Sequence, residues 1–407
     1  MREFLTAVPG VLAGGWRELR ERPKGQVAAL DALRAIAILL VIGHHWSVRH
    51  YVEAGGVATP LQDAWPFYYG WAGVDLFFVL SGFLIGKQLW RELDSTGTIR
   101  FSRFILRRGL RIWPIYYAVL VFYLLFNPAI QPIAPDWFFF SNYKWGAFSR
   151  GWSLSTEEQF YIAIPLLLLI FRKRLSWLGW LYLLLGIEVA VLVNRYFAMN
   201  RVFASGRAYT DAPYELVTPF HMHLEGLLAG LIIALLAVHR PQLFPGKATR
   251  GISWLGLAVF IGGSALAVIL RVTAGNLFSF LGWGLIFGGL TFWALLDRSA
   301  LVSPLNARFW YPISRLSYSM YLNHMWLWPQ SNGVVVEGVQ MFVSNPTLVF
   351  LITLVIVGGI SFALAGVMFI VIEHPFLVVR DRILTATRRP VAAPLSAAGA
   401  APTTAGD

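Results

Sequence analysis

Residues 33–46 read LRAIAILLVIGHHW. Arg34 opens an apolar run that His44 and His45 close. On an α-helix Arg34 and His45 are eleven steps apart, about 1100° of rotation, which leaves them about 20° apart after three turns and about 16 Å apart along the axis. One helix face therefore carries a cation at one depth and an imidazole at another. The surrounding chain says what that helix crosses. Of 407 residues, 57% are hydrophobic and 13% are charged, against about 25% charged in a soluble domain. The composition predicts an all-α fold, a polytopic helical bundle in lipid.

A span needs about 20 mostly apolar residues. Ten segments qualify: 31–50, 68–90, 112–128, 152–171, 175–195, 217–238, 251–270, 276–296, 308–328 and 346–374. With the N-terminus inside, 24 Lys and Arg fall on the inner side and 7 on the outer. That bias predicts both termini in the cytoplasm and a multi-pass protein of the cell inner membrane. The net charge of +12 then reports topology and lipid contact rather than nucleic acid. Residues 1–30 read as a cytoplasmic or interfacial segment, resting on the surface through Phe4, Leu5, Val8, Leu12 and Trp16. They lack the long apolar core of a cleavable signal peptide. Residues 31–378 form the membrane domain, and 379–407 end in a small-residue tail expected to be disordered.

Topology turns position into depth. His45 closes span one, Asp75 opens span two, and Glu157 and Glu158 open span four. His221, His223 and Glu225 open span six, and His324 lies toward the end of span nine. Five spans deliver acids and histidines to one outer layer. Each alone also fits a structural anchor or an interhelical hydrogen bond. Together they predict a polar cavity, because ionisable groups in a membrane face a bundle interior or water. Neighbours on a helix differ by about 100°, so Glu157 is expected inward and Glu158 toward water.

The inner side differs. Arg103, Arg107 and Arg111 recur every four residues, with Arg108 three before Arg111, so a helix crowds them on one side. This pattern suits anionic lipid. With Arg34 it also suits several phosphates, which guanidinium groups bind by planar forks. Cysteine is absent, which excludes disulfides, a thiolate nucleophile and Cys-ligated metal. No P-loop, HExxH or GxSxG occurs. His221, His223 and Glu225 step by two, which does not make a helical ligand face, so no metal is expected. Gly82 and Gly86 form a GxxxG that reads as close helix packing. The outer loop DWFFFSNYKWGAFSRGW, 136–152, is aromatic enough to stack on a sugar or ring-bearing acceptor.

Six stretches in order complete the pattern: Arg34 and His45 with ten residues between them, GVDLFFVLSGFLI, RRGLRIWPIYY, WSLSTEEQFY, RLSYSMYLNH and IEHPF. Together they resemble the acyltransferase 3 family of integral membrane acyltransferases, which O-acylate bacterial envelope glycans and some macrolides. The resemblance covers about residues 30–380. It implies His45 as the catalytic histidine with Arg34 as its motif partner. It implies Arg108 and Arg111 as the arginine pair for the acyl-CoA donor, and Glu157 as the acid after the WSL element. Where many relatives place an arginine before the acid of span six, this chain has His223 before Glu225, which bears on the acceptor.

The expected reaction moves an acyl group, acetyl by family likeness, from cytosolic acyl-CoA to a hydroxyl of an extracytoplasmic glycan or glycosylated small molecule. Arg34, Arg103, Arg107, Arg108 and Arg111 would hold the phosphates of acetyl-CoA or another acyl-CoA, the only co-substrate expected. His45 would act as general base, since imidazole titrates near neutrality. Asp75 or Glu157 would orient it, as in a triad. Trp152, Ser153, His223, Glu225 and His324 would meet the acceptor, which the membrane domain and its loops must recognise. Direct attack needs no protein nucleophile, and Ser81 and Ser153 stand as candidates if an intermediate forms. The competing reading is a proton-coupled transporter or flippase, which buried acids and histidines also suit. No two-fold repeat supports it.

Overall fold

A computed structural model describes residues 10, 13–23, 25–126, 133–148, 151–172, 174–244, 253–297 and 299–386, without the side chains of 48–49, 274, 325–332 and 386. Helices α1 to α11 are Ala28–His45, Gly73–Thr96, Phe101–Phe126, Trp152–Phe171, Trp177–Ala204, Glu225–His239, Trp254–Ala274, Ser279–Leu296, Trp310–Gln340, Pro346–Met368 and His374–Ala386. No strand occurs among the described residues. Eight helical stretches are long and apolar enough to cross a membrane. The fold is thus a polytopic helical bundle, and the chain a multi-pass membrane protein. The segments predicted to span correspond to α1 through α10. The two outside the eight are α6, which is short, with 15 residues, and α9, whose serines, tyrosines and histidine dilute its apolar content.

Local chemistry sets the ends. Ser176, Ser253 and Asn345 cap α5, α7 and α10 with side-chain oxygens, accepting amides that have no partner within the helix. Gly97 closes α2 at φ 68° with its N–H on the Leu93 carbonyl, a left-handed position that suits glycine. A π-helical turn, Trp46–His50, follows directly on α1. Another, Phe369–Glu373, joins α10 to α11.

Glycine decides the closest packing. Helix α2 lies on α6, where a Cβ at Gly82 would collide with the Leu227 carbonyl and one at Gly230 with the Val79 carbonyl. The GxxxG reading therefore holds. Helix α1 packs against α2 and α9, and α9 against α10.

Two boundaries move. Span six was expected from 217, but α6 starts at Glu225, after a 3-10 turn Phe220–Met222. Pro219, held at a polyproline-like ψ of 141°, and the 3-10 turn that follows it keep His221 and His223 off the helix. The tail expected to be disordered from 379 is helical to Ala386. Residues 387–407 lie outside the described residues, as do Phe4, Leu5, Val8 and Leu12 of the expected surface segment. Of that segment, 13–20 is helical, with Trp16 57% exposed and Leu19 buried.

Candidate active site

Helices α1, α2, α3, α4 and α9 surround a cleft of about 860 Å³. Arg34, Arg108 and Arg111 line one end. Ser81, Glu157 and Tyr161 line its middle, and Phe78, Ser153 and Tyr321 lie toward the other end. A second space of about 840 Å³ is lined by Glu18, Asp31, Arg34, Arg107, Arg111, Arg315 and Arg380, among others. Arg34 and Arg111 line both spaces, so cleft and vestibule meet at this pair.

Helical geometry explains the division among the arginines. From Arg107, Arg111 lies about 40° round the helix and Arg108 about 100°. Arg107 therefore faces the vestibule, Arg108 the cleft, and Arg111 both. Arg108 also lies 5.5 Å from the Tyr161 ring and 5.8 Å from that of Phe104. Arg103 is turned elsewhere and donates to the Leu384 carbonyl at 3.2 Å. None of Arg34, Arg107, Arg108 and Arg111 forms an ion pair with a described residue. The nearby acids are engaged by other groups. Asp31 is held by Arg22 at 2.8 Å and Gln26 at 2.6 Å. Glu373 and Glu18 hold Arg315 at 3.3 and 2.6 Å.

Above the arginines, Glu157 accepts hydrogen bonds from Ser81 and, at 2.5 Å, from Tyr161 one turn along α4. It faces inward, as expected. Glu158 does not face water. It is buried and accepts from the Trp113 indole at 3.0 Å, because α3 covers that side of α4. The Ser153 and Tyr321 hydroxyls lie 2.5 Å apart.

His45 is buried, not turned to lipid. Its Nδ1 lies 3.0 Å from the Val41 carbonyl. A carbonyl only accepts, so Nδ1 carries the proton and the lone pair stays on Nε2. His324 Nδ1 likewise donates to the Tyr321 carbonyl at 2.6 Å, and its Nε2 stands 3.3 Å from His45 Nδ1. The expected acids are not bonded to His45: Asp75 pairs with His223 at 2.8 Å, and Glu157 is taken as above. His45 is not among the cleft-lining residues. It stands behind Tyr321, whose ring is 5.5 Å from that of His324.

The remaining expected acceptor residues lie off the cleft. His223 Nδ1 reaches the Val217 carbonyl at 3.0 Å while Nε2 reaches Asp75. Two acceptors need two protons, so the pair is an imidazolium with a carboxylate or a neutral imidazole with a carboxylic acid. Its ring stacks on Trp152 at 5.2 Å and meets Phe78 edge-on at 5.5 Å, so it supports the cleft wall from behind. Glu225 is closed against Arg195, both fully buried. Arg195 also donates to the Met222 and Leu277 carbonyls.

Sequence reasoning had not singled out Tyr161, Tyr321 or Glu18. Tyr161 was accessible from its i, i+4 spacing to Glu157. Glu18 reaches Arg315 across 297 positions, a contact no local pattern reveals.

The profile of a family described as an acyltransferase domain, acyltransferase 3, matches residues 27–369. The chain belongs to the acyltransferase 3 family. The match runs from just before Arg34 through Phe369, and so contains every helix lining the cleft. Within curated proteins the chain is similar to the peptidoglycan O-acetyltransferase OatA of Listeria monocytogenes serovar 1/2a, 29% identical over 170 residues, 36% of this chain and 25% of that one. It is similar to the O-acetyltransferase OatA of Staphylococcus aureus strain NCTC 8325, 30% identical over 167 residues, 36% of this chain and 25% of that one. A Staphylococcus aureus strain COL protein, named only provisionally as an O-acetyltransferase, is 29% identical over 239 residues, 52% of this chain and 35% of that one. The matched stretch thus spans a quarter to about a third of these relatives' length. No solved structure matches the chain.

Proposed function

We propose that this protein is an inner-membrane O-acyltransferase that moves an acetyl or other short acyl group from cytosolic acyl-CoA to a hydroxyl of an extracytoplasmic glycan or glycosylated small molecule. One observation carries the reading: Arg34 and Arg111, which form no ion pair among the described residues, line both the vestibule and the cleft. In this reading both termini are cytoplasmic and the vestibule opens to the cytosol. The CoA phosphates sit among Arg34, Arg107 and Arg111, and the pantetheine arm runs past Arg108 and Ser81 toward Tyr321. The eleven-residue step of α1 then measures the distance from phosphate end to thioester end.

His45 Nε2 removes the proton from the acceptor hydroxyl as its oxygen attacks the thioester carbonyl. The tetrahedral adduct collapses, the C–S bond breaks, and the CoA thiolate takes the proton from the imidazolium. Ester and free CoA result, and His45 is regenerated. The Val41 carbonyl, accepting from His45 Nδ1–H, and the His324 ring packed 5.1 Å away position the ring in place of the expected acid. The Tyr321 ring and His324 must shift to admit the thioester to His45.

The test uses purified protein in nanodiscs. Acetyl-CoA should raise its melting temperature, since a ligand that binds only the folded state stabilises it. Arg34→Gln and Arg111→Gln should weaken that shift. A mass-spectrometric comparison of envelope glycans and secreted metabolites, with and without the protein, should show one lost acyl mass. Stabilisation by a transported solute, with none by acetyl-CoA, would overturn the reading in favour of a transporter.

A further inference from the structure

The segment joining α1 to α2 has two faces. Its inner face is fixed to α1. The Phe67 carbonyl accepts from His44 Nδ1 at 2.8 Å. Gly70 and Gly73 press on the Leu40 and Ala37 carbonyls, where any Cβ would collide. Its outer face presents Trp65 and Tyr69 to a space of about 630 Å³, closed on the far side by α7 and α8.

Aromatic planes and one cation line that space. The Trp65 and Tyr69 rings lie 6.4 and 5.9 Å from that of Trp283, and Phe278 completes the wall. Arg271, at the end of α7, stands 5.2 Å over Tyr69 and reaches the Ser279 hydroxyl at 3.4 Å. No carboxylate of a described residue lines the space. Trp283 is 7% exposed, and its indole N–H is buried with no partner among the described residues. A buried donor without an acceptor costs about 1–3 kcal/mol, so an arriving acceptor atom gains at this position.

We propose that this pocket is a binding subsite for a sugar ring bearing one acidic group, a carboxylate or a phosphate. The C–H face of a pyranose is apolar and stacks on the half-exposed Trp65 indole. A ring hydroxyl accepts from the Trp283 indole. Arg271 binds the acid, a charge-assisted contact stronger than a neutral one. The pocket lies at the His45 end of the bundle, where α1 ends, α7 ends and α8 begins. Through Phe67 and His44 its wall is one hydrogen bond from the residue beside His45. As an acceptor subsite it rests on the acyl-transfer reading above.

The test is saturation-transfer NMR on the full chain in phosphatidylcholine nanodiscs with glucuronic acid, glucose 6-phosphate and glucose. Both acids should exceed glucose in ring-proton saturation by about fivefold, the worth of one exposed charge contact. Arg271→Gln should lower the acids to the level of glucose. Trp65→Ala, at a half-exposed residue, should abolish saturation by all three. Equal saturation in the wild type and in Arg271→Gln overturns the proposal, as does no saturation in either. Loss of the sugar signal on replacing phosphatidylcholine by phosphatidylglycerol assigns Arg271 to a lipid headgroup and also overturns it. The acetyl-CoA thermal shift is read in parallel. If sugar binds and acetyl-CoA does not stabilise, the transferase reading fails while the subsite stands.

Discussion

Arg195 and Arg111 both lie on membrane-length helices, and their surroundings differ. Arg195 is fully buried, pairs with Glu225 and also donates to two carbonyls. Arg111 borders two open spaces and has no carboxylate partner among the described residues. The same contrast separates Asp75, closed on His223, from Glu157, which faces the cleft with hydroxyl partners only. A charge that has found its counter-charge in low dielectric is a structural element, because separating the two costs several kcal/mol. A cluster of one sign facing space leaves the balance to a ligand. Arg34, Arg108 and Arg111 against one Glu157 leave the cleft cationic, as an anionic donor requires.

The contrast breaks first at His45, which belongs to neither class. His45→Ala should lower acyl transfer by about 10²–10⁴-fold, the usual contribution of a general base, while acetyl-CoA still raises the melting temperature. Transfer at the wild-type rate would remove His45 from the mechanism. Next comes the closed pair. Arg195→Met should destabilise the protein by about 3–5 kcal/mol by stranding the Glu225 carboxylate, measured as melting temperature in nanodiscs. The double variant with Glu225→Met should recover much of that loss. A stable Arg195→Met variant with impaired acetyl-CoA binding would erase the distinction.

The open cluster should behave oppositely. Arg111→Gln should leave stability unchanged or raised, since it removes repulsion from Arg34 and Arg108. It should weaken acetyl-CoA binding about 10–100-fold, the worth of one hydrogen bond to a charged group. Calorimetry at two salt concentrations checks this, because screening should weaken wild-type binding more than variant binding. Glu18 sharpens the point. It holds Arg315 at 2.6 Å at the vestibule and is itself partly exposed. Glu18→Gln should leave Arg315 held by Glu373 alone, with one fork of N–H groups open to phosphate, and tighten acetyl-CoA about two- to fivefold.

The sequence made the spans legible because apolar runs and lysine–arginine bias are strong, additive signals. Its spacing also brought Arg107, Arg108 and Arg111 to the two spaces, but Arg103, a member of the same every-fourth series, turns to the Leu384 carbonyl instead. Pairing was not legible. Four histidines and four acids were expected near one level, but Asp75 meets His223 across 148 positions and His45 meets His324 across 279. Depth fixes which groups share a layer, not their rotation within it. The Glu158 expectation failed for that reason, since its direction depends on where α3 crosses α4. His223 moved because the 3-10 turn Phe220–Met222, ahead of α6, sets its direction, which α-helical periodicity does not describe.

Asp136 marks a third way to settle a charge. It lies in the segment 133–148, outside the spans, and pairs with no cation among the described residues. Burial pushes its carboxyl from the ordinary 3.8 up to about 6, partly offset by the Phe148 N–H, the Ser141 hydroxyl and the Ala147 N–H. The sign follows from linkage: a folded value above the unfolded one favours the protonated group in the folded state. The stabilisation is complete below about pH 4 and declines as pH rises through 6. Hydrogen exchange at the Phe148 amide, which donates to Asp136 at 2.9 Å, reports the opening of this loop. After correction for intrinsic exchange, opening should be severalfold more frequent at pH 7.5 than at pH 5. Asp136→Asn, which cannot ionise, should flatten that dependence. A wild-type loop whose opening does not change across this range would mean that the backbone N–H groups fully replace water around the carboxylate.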